Sequence, residues 1–248
     1  MTQISNKRIR KDIRSLSSNE WKKIVDAFWI MKTTNDLIGK KMYGKKFISY
    51  DRLVLKHAIA ALDIRGDQAH LSPVFPTFHR AFLKLAENSL ISIDKSIEGL
   101  PYWDIFSNSG YMDNNNYYYD NNNDNNNDNN NSNNNNDDTF PTSYFGSFVG
   151  LGSGYVVNDG PFAYWPIAEY NKLTEIPDNS IRVANSYGYL RHPLNVNNQK
   201  YMTRRGGMFC GESMDINFSS QNSWNECLNI GEDINKYMAC TDPNLHGK

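Results

Sequence analysis

Three stretches of the chain carry hydrophobic residues at alternating three- and four-residue steps, which predicts amphipathic helices. The first stretch follows Ser17, whose spacing to Glu20 has the Ser-x-x-Glu form of a capping box. A second helix is predicted over residues 50–62, and a third begins after Pro76 and continues to about Ile91. We therefore expect a mainly α fold with long irregular loops, and one further weak helix near the C-terminus, over 227–239.

Each predicted helix has one apolar face, and two histidines lie on such faces. His57 and His79 share the helical phase of their apolar neighbours, so both imidazoles are expected to point inward. The apolar positions on the three helices are Trp21, Ile24, Val25, Phe28 and Met31; Leu53, Val54 and Ala61; and Phe75, Phe82, Leu83, Ala86 and Leu90.

A long polar tract interrupts this pattern, because the chain from Asp113 to Asp138 is almost wholly Asn and Asp. Such a segment has too little apolar surface to offset the entropy lost on ordering. We predict one domain over 8–248, interrupted by a disordered insertion at 111–140. The insertion is either a tolerated expansion without function or a segment prone to cross-β aggregation.

The overall charge and the cysteines limit which partners and which cellular compartment are expected for the protein. With a net charge of −1, the sequence gives no electrostatic case for nucleic acid or an anionic membrane as partner. No apolar run approaches the roughly 20 residues that span a bilayer, and no secretory signal is visible, so the default localisation is cytoplasmic. Because Cys210, Cys227 and Cys240 form no Cys-x-x-Cys pair, we expect free thiols in a reducing compartment.

The positions of the histidines are the strongest indication of function in the sequence. The chain has five histidines, and His57, His70 and His79 fall close together, two on helices and one on the loop between them. Imidazole nitrogen is a favoured ligand of copper, zinc, iron and nickel, so this grouping predicts a metal site. His192 and His246 stand alone and are expected to be a loop residue and part of a frayed terminus.

These histidines and several later motifs resemble the tyrosinase family of type 3 copper proteins. The resemblance covers roughly residues 8–110 and 144–192, and Tyr155–Ala163 is similar to the segment that links the family's two copper halves. The residues that correspond to the three ligands of the first copper are His57, Ala69-His70 and Phe78-His79-Arg80, with Glu87 and Pro101-Tyr102-Trp103-Asp104 following at the family's spacing.

The resemblance implies a helical bundle around a dicopper-type site, in which two coppers, each held by three histidines, bind dioxygen. A small phenolic substrate would then be oxygenated, or a catechol oxidised to a quinone. Glu87 is expected either to support a ligand histidine through a hydrogen bond or to be a charge on the helix surface. Gln68 stands where some members have a cysteine, which excludes a thioether to His70. The oligomeric state stays open.

The second copper site departs from the family pattern. Its histidine pair is expected near Asn222 and Glu226, its third ligand falls at about Lys248, and His246 is out of register. Two-metal sites clamp both reacting oxygens, so half a site cannot do the same chemistry. We therefore expect the first copper site to be present and the second incomplete. The alternatives are a non-catalytic copper-binding or interaction protein and a fragment of a longer phenol oxidase.

Overall fold

Helices dominate the part of the chain that the structure, a computed structural model, describes. The described residues are 8–61, 63, 65–70, 73–104, 142–169, 190–191, 199–204, 208–209, 212–213, 221–231 and 233–241. Within them, the helices are α1 (Ser18–Thr33), α2 (Asp36–Tyr43), α3 (Tyr50–Ala61), α4 (Phe75–Ile93), α5 (Thr142–Phe145), α6 (Gln221–Leu228) and α7 (Ile234–Thr241). A 3-10 turn spans Ile13–Ser15, and two-residue strands pair β1 (Ala168–Glu169) with β2 (Leu190–Arg191) and β3 (Met208–Phe209) with β4 (Glu212–Ser213).

The starts of α1 and α4 follow from their sequences. Ser17 and Glu20 form the predicted capping box, each side chain accepting a hydrogen bond from the other's backbone N–H. Helix α4 begins at Phe75, slightly earlier than predicted, and includes Pro76 in its first turn. Proline is tolerated there because a backbone N–H in the first turn has no partner within the helix. The predicted mainly α fold is confirmed.

The core lies where α1 packs against α3 and α4. Met31 from α1, Leu53 from α3 and Leu90 from α4 meet there, together with Phe47 from the segment before α3. Met31, Phe47 and Leu90 have no measurable exposure to solvent, so this packing fixes α3 relative to α4. The core as a whole comprises Ile24, Ala27, Met31, Phe47, Leu53, Ala86, Leu90 and Ile97.

Two helical regions differ from the sequence prediction. The hydrophobic pattern does not predict α2, which Asn35 caps by accepting a hydrogen bond from the Ile38 N–H. The single weak helix expected over 227–239 is two helices, α6 and α7. Gly231, with a φ of 77°, ends the turn between them, and Asp233 accepts hydrogen bonds from the first backbone N–H groups of α7.

The chain divides into two compact units. One comprises Met1–Trp103, Pro166–Lys200 and Asn217–Lys248, and the other comprises Asp104–Trp165 and Tyr201–Ile216. The first unit contains α1 to α4, α6 and α7. Among the described residues, no helix is long and apolar enough to cross a membrane. The Asn-rich tract predicted to be disordered lies outside the described residues.

A tight hairpin and a half-buried guanidinium organise the second unit. Leu151 and Val156 exchange two backbone hydrogen bonds across the hairpin turn. Arg204 donates to the carbonyl oxygens of Phe145, Gly146 and Ser147 and so satisfies the exposed carbonyl end of α5.

Candidate metal centre

The three histidines singled out by the sequence lie together in the structure. One ligand nitrogen from each of His57, His70 and His79 lies within 4.8 Å of the others. The ring centroids are 5.1 Å apart for His57 and His70, 5.6 Å for His57 and His79, and 5.1 Å for His70 and His79. All three side chains are half-buried. The packing of α3 on α4 therefore brings together residues that are up to 22 positions apart in the chain.

Helix α4 orients His79 through its own backbone. The Nδ1 atom lies 3.0 Å from the carbonyl oxygen of Phe75, one helical turn earlier. A carbonyl oxygen can only accept a hydrogen bond, so Nδ1 carries the proton and Nε2 keeps its lone pair. This is the arrangement that a metal-binding histidine requires, since its second nitrogen donates to a fixed acceptor.

A short loop places His70 between the two helix-borne histidines. The Gln68 N–H donates to the Ala60 carbonyl oxygen and so ties the loop to the end of α3. Asp67 then bridges to His70 twice, since one carboxylate oxygen accepts from the His70 backbone N–H and the other lies 2.9 Å from Nδ1. Gly66, at a φ of 114°, allows the turn that precedes Asp67.

The lowered pKa of Asp67 suits it to orient the ring of His70. Partial burial tends to raise the pKa of the Asp67 carboxyl, but hydrogen bonds from the Ala69 N–H and from His70 outweigh it and lower the pKa below its ordinary value. The carboxylate is therefore ionised near neutral pH and can only accept from the His70 ring. As in His79, the proton is placed on Nδ1, and Nε2 is left to act as a ligand.

The cluster has the dimensions and the chemistry of a metal site. Nitrogen–metal distances of about 2 Å place the ligands of one ion within about 4 Å of each other, close to the spacing observed here. In two of the three imidazoles an acceptor lies beside Nδ1, which favours the tautomer that binds a metal through Nε2. Three imidazole ligands without a thiolate suit copper, zinc, iron or nickel. The residues present therefore fit a bound transition-metal ion.

Aromatic rings cover one side of the cluster. The centroids of Phe78 and Phe82 lie 6.0 Å and 5.6 Å from that of His57, and the two phenyl rings stack on each other. Both rings also line a cleft of about 430 Å³ between α3 and α4. Most of the residues that line the cleft are apolar, and its polar lining residues are Arg52, Lys56, Asp63 and Gln68. An apolar cleft with a few polar groups is the usual form of a small-molecule site.

Glu87 has a different role from either of those expected. It is neither bonded to a histidine nor on the surface, since only 2% of it is exposed and its carboxylate bonds to Arg8 and Arg10 at 2.9 Å. Burial alone would raise the pKa of the Glu87 carboxyl, but the hydrogen bonds from Arg10 and Arg8 lower it to about 2. The carboxylate also accepts from the Leu100 N–H and so joins three chain segments. The expected support of the histidines comes instead from Asp67 and the Phe75 carbonyl group.

Asp67 and Phe75 are the residues that sequence reasoning missed at this site. The spacing Asp67-x-x-His70 was a usable signal, because Asp readily accepts from backbone N–H groups two and three residues later. The Phe75 carbonyl group had no such signal, because every residue has a backbone carbonyl oxygen and the sequence does not show which one accepts a hydrogen bond from a histidine.

The other residues singled out by the sequence fall partly outside the part of the chain that the structure describes. His192, His246 and Cys210 fall outside the described residues. Asn222 and Glu226, where the family pattern would place a histidine pair, lie one turn apart on α6.

The expectation of free thiols is wrong for two of the three cysteines. Cys227, near the end of α6, and Cys240, on α7, form a disulfide with a Cα–Cα distance of 5.6 Å. An odd number of cysteines excludes complete pairing but not one bond. The chain reversal at Gly231 brings the two thiols together, and neither thiol pattern nor local periodicity reveals such a reversal.

The fold and the cluster define a helical protein in which three histidines converge. A family model described as the common central domain of tyrosinase matches residues 48–247. The match covers most of the chain, and the chain belongs to the tyrosinase family, whose members bind copper and use phenolic substrates and dioxygen. The matched region runs from α3 to beyond α7 and therefore includes both the histidine cluster and the disulfide-linked helices.

One relative shares a shorter region. A protein of Caenorhabditis elegans described as tyrosinase-like (tyr-3) is 32% identical over 96 residues. The alignment covers 39% of this chain and 11% of that protein, so the chain spans only a small part of the relative's length.

Proposed function

We propose that this chain binds one copper ion through His57, His70 and His79, at the position of the first copper site of its family. The observation that carries the proposal is the convergence of three ligand nitrogens within 4.8 Å in a member of the tyrosinase family. Bound copper would supply redox chemistry with dioxygen. The geometry alone would also suit zinc, and family membership favours copper.

The chain's own groups determine how such a site would work. Asp67 and the Phe75 carbonyl group hold the protons of His70 and His79 on Nδ1, so both rings are ready to bind a metal without rearrangement. Phe78 and Phe82 pack beside the ring of His57 and line the adjoining cleft. The ring of a phenol or catechol matches these surfaces, which supports phenols as the substrate class.

A second candidate is a copper-binding protein without oxidase activity. It is favoured by Asn222 and Glu226, because an amide and a carboxylate on α6 stand where the family pattern places two imidazoles. We propose that this chain alone, supplied with copper, does not oxidise catechol. A longer phenol oxidase of which this chain is one part would differ by having in-frame histidines after Lys248, which reading of the transcript would reveal.

Elemental analysis of the purified full chain after copper loading and gel filtration tests the proposal. We expect about one copper per chain, retained in the Lys56→Ala variant and lost in His57→Ala. Lys56 is the matched control because it is the exposed neighbour of His57 on the same helix. Equal copper in His57→Ala and Lys56→Ala would contradict the assignment of the ligands. Copper-dependent quinone formation that disappears in His79→Ala would contradict the non-catalytic reading.

A further inference from the structure

Helix α2 presents apolar side chains to solvent. Leu37 is 83% exposed, Ile38 is 50% exposed and Met42 is 64% exposed, although all three lie in one eight-residue helix. The opposite side of α2 faces the core through Gly39, where an added Cβ would lie 2.0 Å from the ring of Phe47. The helix is therefore amphipathic in the reverse of the usual sense, with its apolar residues outward.

This orientation is fixed by several contacts. The Asp36 carboxylate accepts a hydrogen bond of 2.6 Å from the Ser49 N–H, on the inner side of α2. The Asn35 side chain caps the N-terminal end, and the Gly44 N–H donates to the Lys40 carbonyl oxygen at the other end. Because both ends and the inner side are anchored, rotation of α2 cannot bury the outer residues.

Four lysines accompany the apolar residues. Lys40 and Lys41 lie on α2, and Lys45 and Lys46 follow in the next turn, all exposed. In the described part of the chain, Asp36 is the carboxylate within ion-pair distance of this group, 4.0 Å from Lys40. The net charge of −1 thus hides a local excess of positive charge around the exposed face of α2.

The combination favours one kind of partner. Lysine is depleted in the cores of protein–protein interfaces, which argues against a protein ligand for a face with Lys41 among its apolar residues. In the headgroup region of a membrane, apolar side chains enter the acyl boundary while lysines extend to anionic lipids. We propose that the outer face of α2, with Lys40, Lys41, Lys45 and Lys46, binds the surface of a bilayer that contains anionic lipids. The proposal does not depend on copper.

Vesicle co-sedimentation of the full chain tests this binding. The probes are vesicles of phosphatidylcholine alone and vesicles in which phosphatidylserine replaces about a third of the lipid. We expect binding to the anionic vesicles, weakened by salt, and little binding to the neutral ones. Charge reversal at Lys41 and Lys45 should lower the partition coefficient by about 25-fold or more, since each lysine near such a surface contributes about fivefold.

Variants of α2 and matched controls elsewhere on the surface distinguish binding through this face from nonspecific adsorption to the vesicles. Leu37→Asp combined with Met42→Asp should lower binding by at least about tenfold, because both side chains would enter the acyl boundary. Leu151→Asp is the apolar control, at a residue that is 66% exposed in the other unit, and Lys22→Glu is the charge control on α1. Both controls should bind as the parent protein does. The altered residues are exposed, and circular dichroism confirms that each variant is folded.

Three outcomes would overturn the proposal. The first is no binding to the anionic vesicles. The second is equal loss of binding in the α2 variants and in the Leu151 and Lys22 controls. The third is self-association that depends on Leu37 and Met42 in the absence of lipid, which sedimentation velocity would detect and which would assign the face to a second copy of the chain.

Discussion

Two pairs of helices in this chain are held together in different ways. Helices α3 and α4 pack through a shared core, and the loop between them adds a third imidazole to the two that the helices carry. Helices α6 and α7 are joined by a tight turn and by the Cys227–Cys240 disulfide. Packing of the first pair brings possible metal ligands together, whereas a covalent bond holds the second pair together.

The lengths of the helices explain the difference. Helix α4 has 19 residues and buries Leu90 in the core, so packing can stabilise it. Helices α6 and α7 have eight residues each, a length at which an isolated helix is not stable in water. A disulfide between them restricts the unfolded chain and offsets this weakness. The candidate metal ligands therefore lie with the pair that is stabilised by packing, and the covalent bond lies with the short pair.

Removal of one histidine ligand should give the largest effect, a loss of copper affinity. The effect should be limited to the first pair of helices, α3 and α4. We expect His79→Ala to lower copper affinity by more than about a hundredfold, since even residues that only orient a ligand contribute 10- to 100-fold. Competition with a chromogenic copper chelator measures the affinity. Reductant-induced destabilisation, which reports the disulfide of the second pair, should be unchanged. Copper affinity equal to that of the parent protein would contradict the ligand set.

Removal of the disulfide should give the converse result. Replacement of Cys227 and Cys240 by Ser should lower the free energy of unfolding by about 3 kcal/mol, from the loop-closure entropy that the bond removes. Denaturant unfolding measures the change, and Cys210→Ser is the control that keeps the bond. Copper affinity should not change. If it fell as it does in His79→Ala, the two pairs would not be independent, and the comparison would fail.

The buried carboxylate of Glu87, on α4, should make the stability of the protein depend on pH. The Glu87 pKa is about 2 in the folded protein and 4.5 as its ordinary value, so its contribution is fully present above about pH 4.5. It is lost as the pH falls through about 2. We expect Glu87→Gln to lower the free energy of unfolding by about 2 kcal/mol near pH 6, and the difference from the parent protein to shrink toward pH 2 and to vanish below it.

Denaturant unfolding across this pH range measures the dependence on Glu87. Glu98→Gln is the control, because Glu98 is exposed and forms an ion pair with Lys11. A difference between Glu87→Gln and the parent protein that stayed constant from pH 6 to pH 2 would exclude the ionised carboxylate as its source.

A change at Asp67 should give the smallest effect on the site. Asp67→Asn keeps an oxygen for the Ala69 and His70 N–H groups but loses the acceptor for His70 Nδ1. We expect about a tenfold loss of copper affinity, at the lower end of the usual range because Asp67 is partly exposed. The matched control is Asp63→Asn in the same loop, whose carboxylate bonds to Arg65. Equal effects of the two substitutions would show that His70 needs no orientation.

Local signals predicted the long helices and the grouping of histidines. The capping box at Ser17 and the phase of His57 and His79 depend on residues one or two turns away, which a sequence displays directly. Helix α2 was missed because Leu37, Ile38 and Met42 face outward, so their spacing does not mark an inward face.

Features that depend on distant parts of the chain were not predicted correctly. The pairing of Cys227 with Cys240 needs the reversal at Gly231, and the burial of Glu87 needs arginines from the N-terminal segment. Each of these was lost because pattern and composition do not contain tertiary distance.

The central claim is that the first helical pair holds a single copper ion without a second beside it. Electron paramagnetic resonance of the full chain loaded with Cu(II), integrated against its copper content, tests this directly. An isolated Cu(II) has one unpaired electron, so we predict about one spin per bound copper, with nitrogen couplings from imidazole ligands, and about one copper per chain. About two coppers per chain with little or no signal would reveal a coupled pair and would contradict the claim.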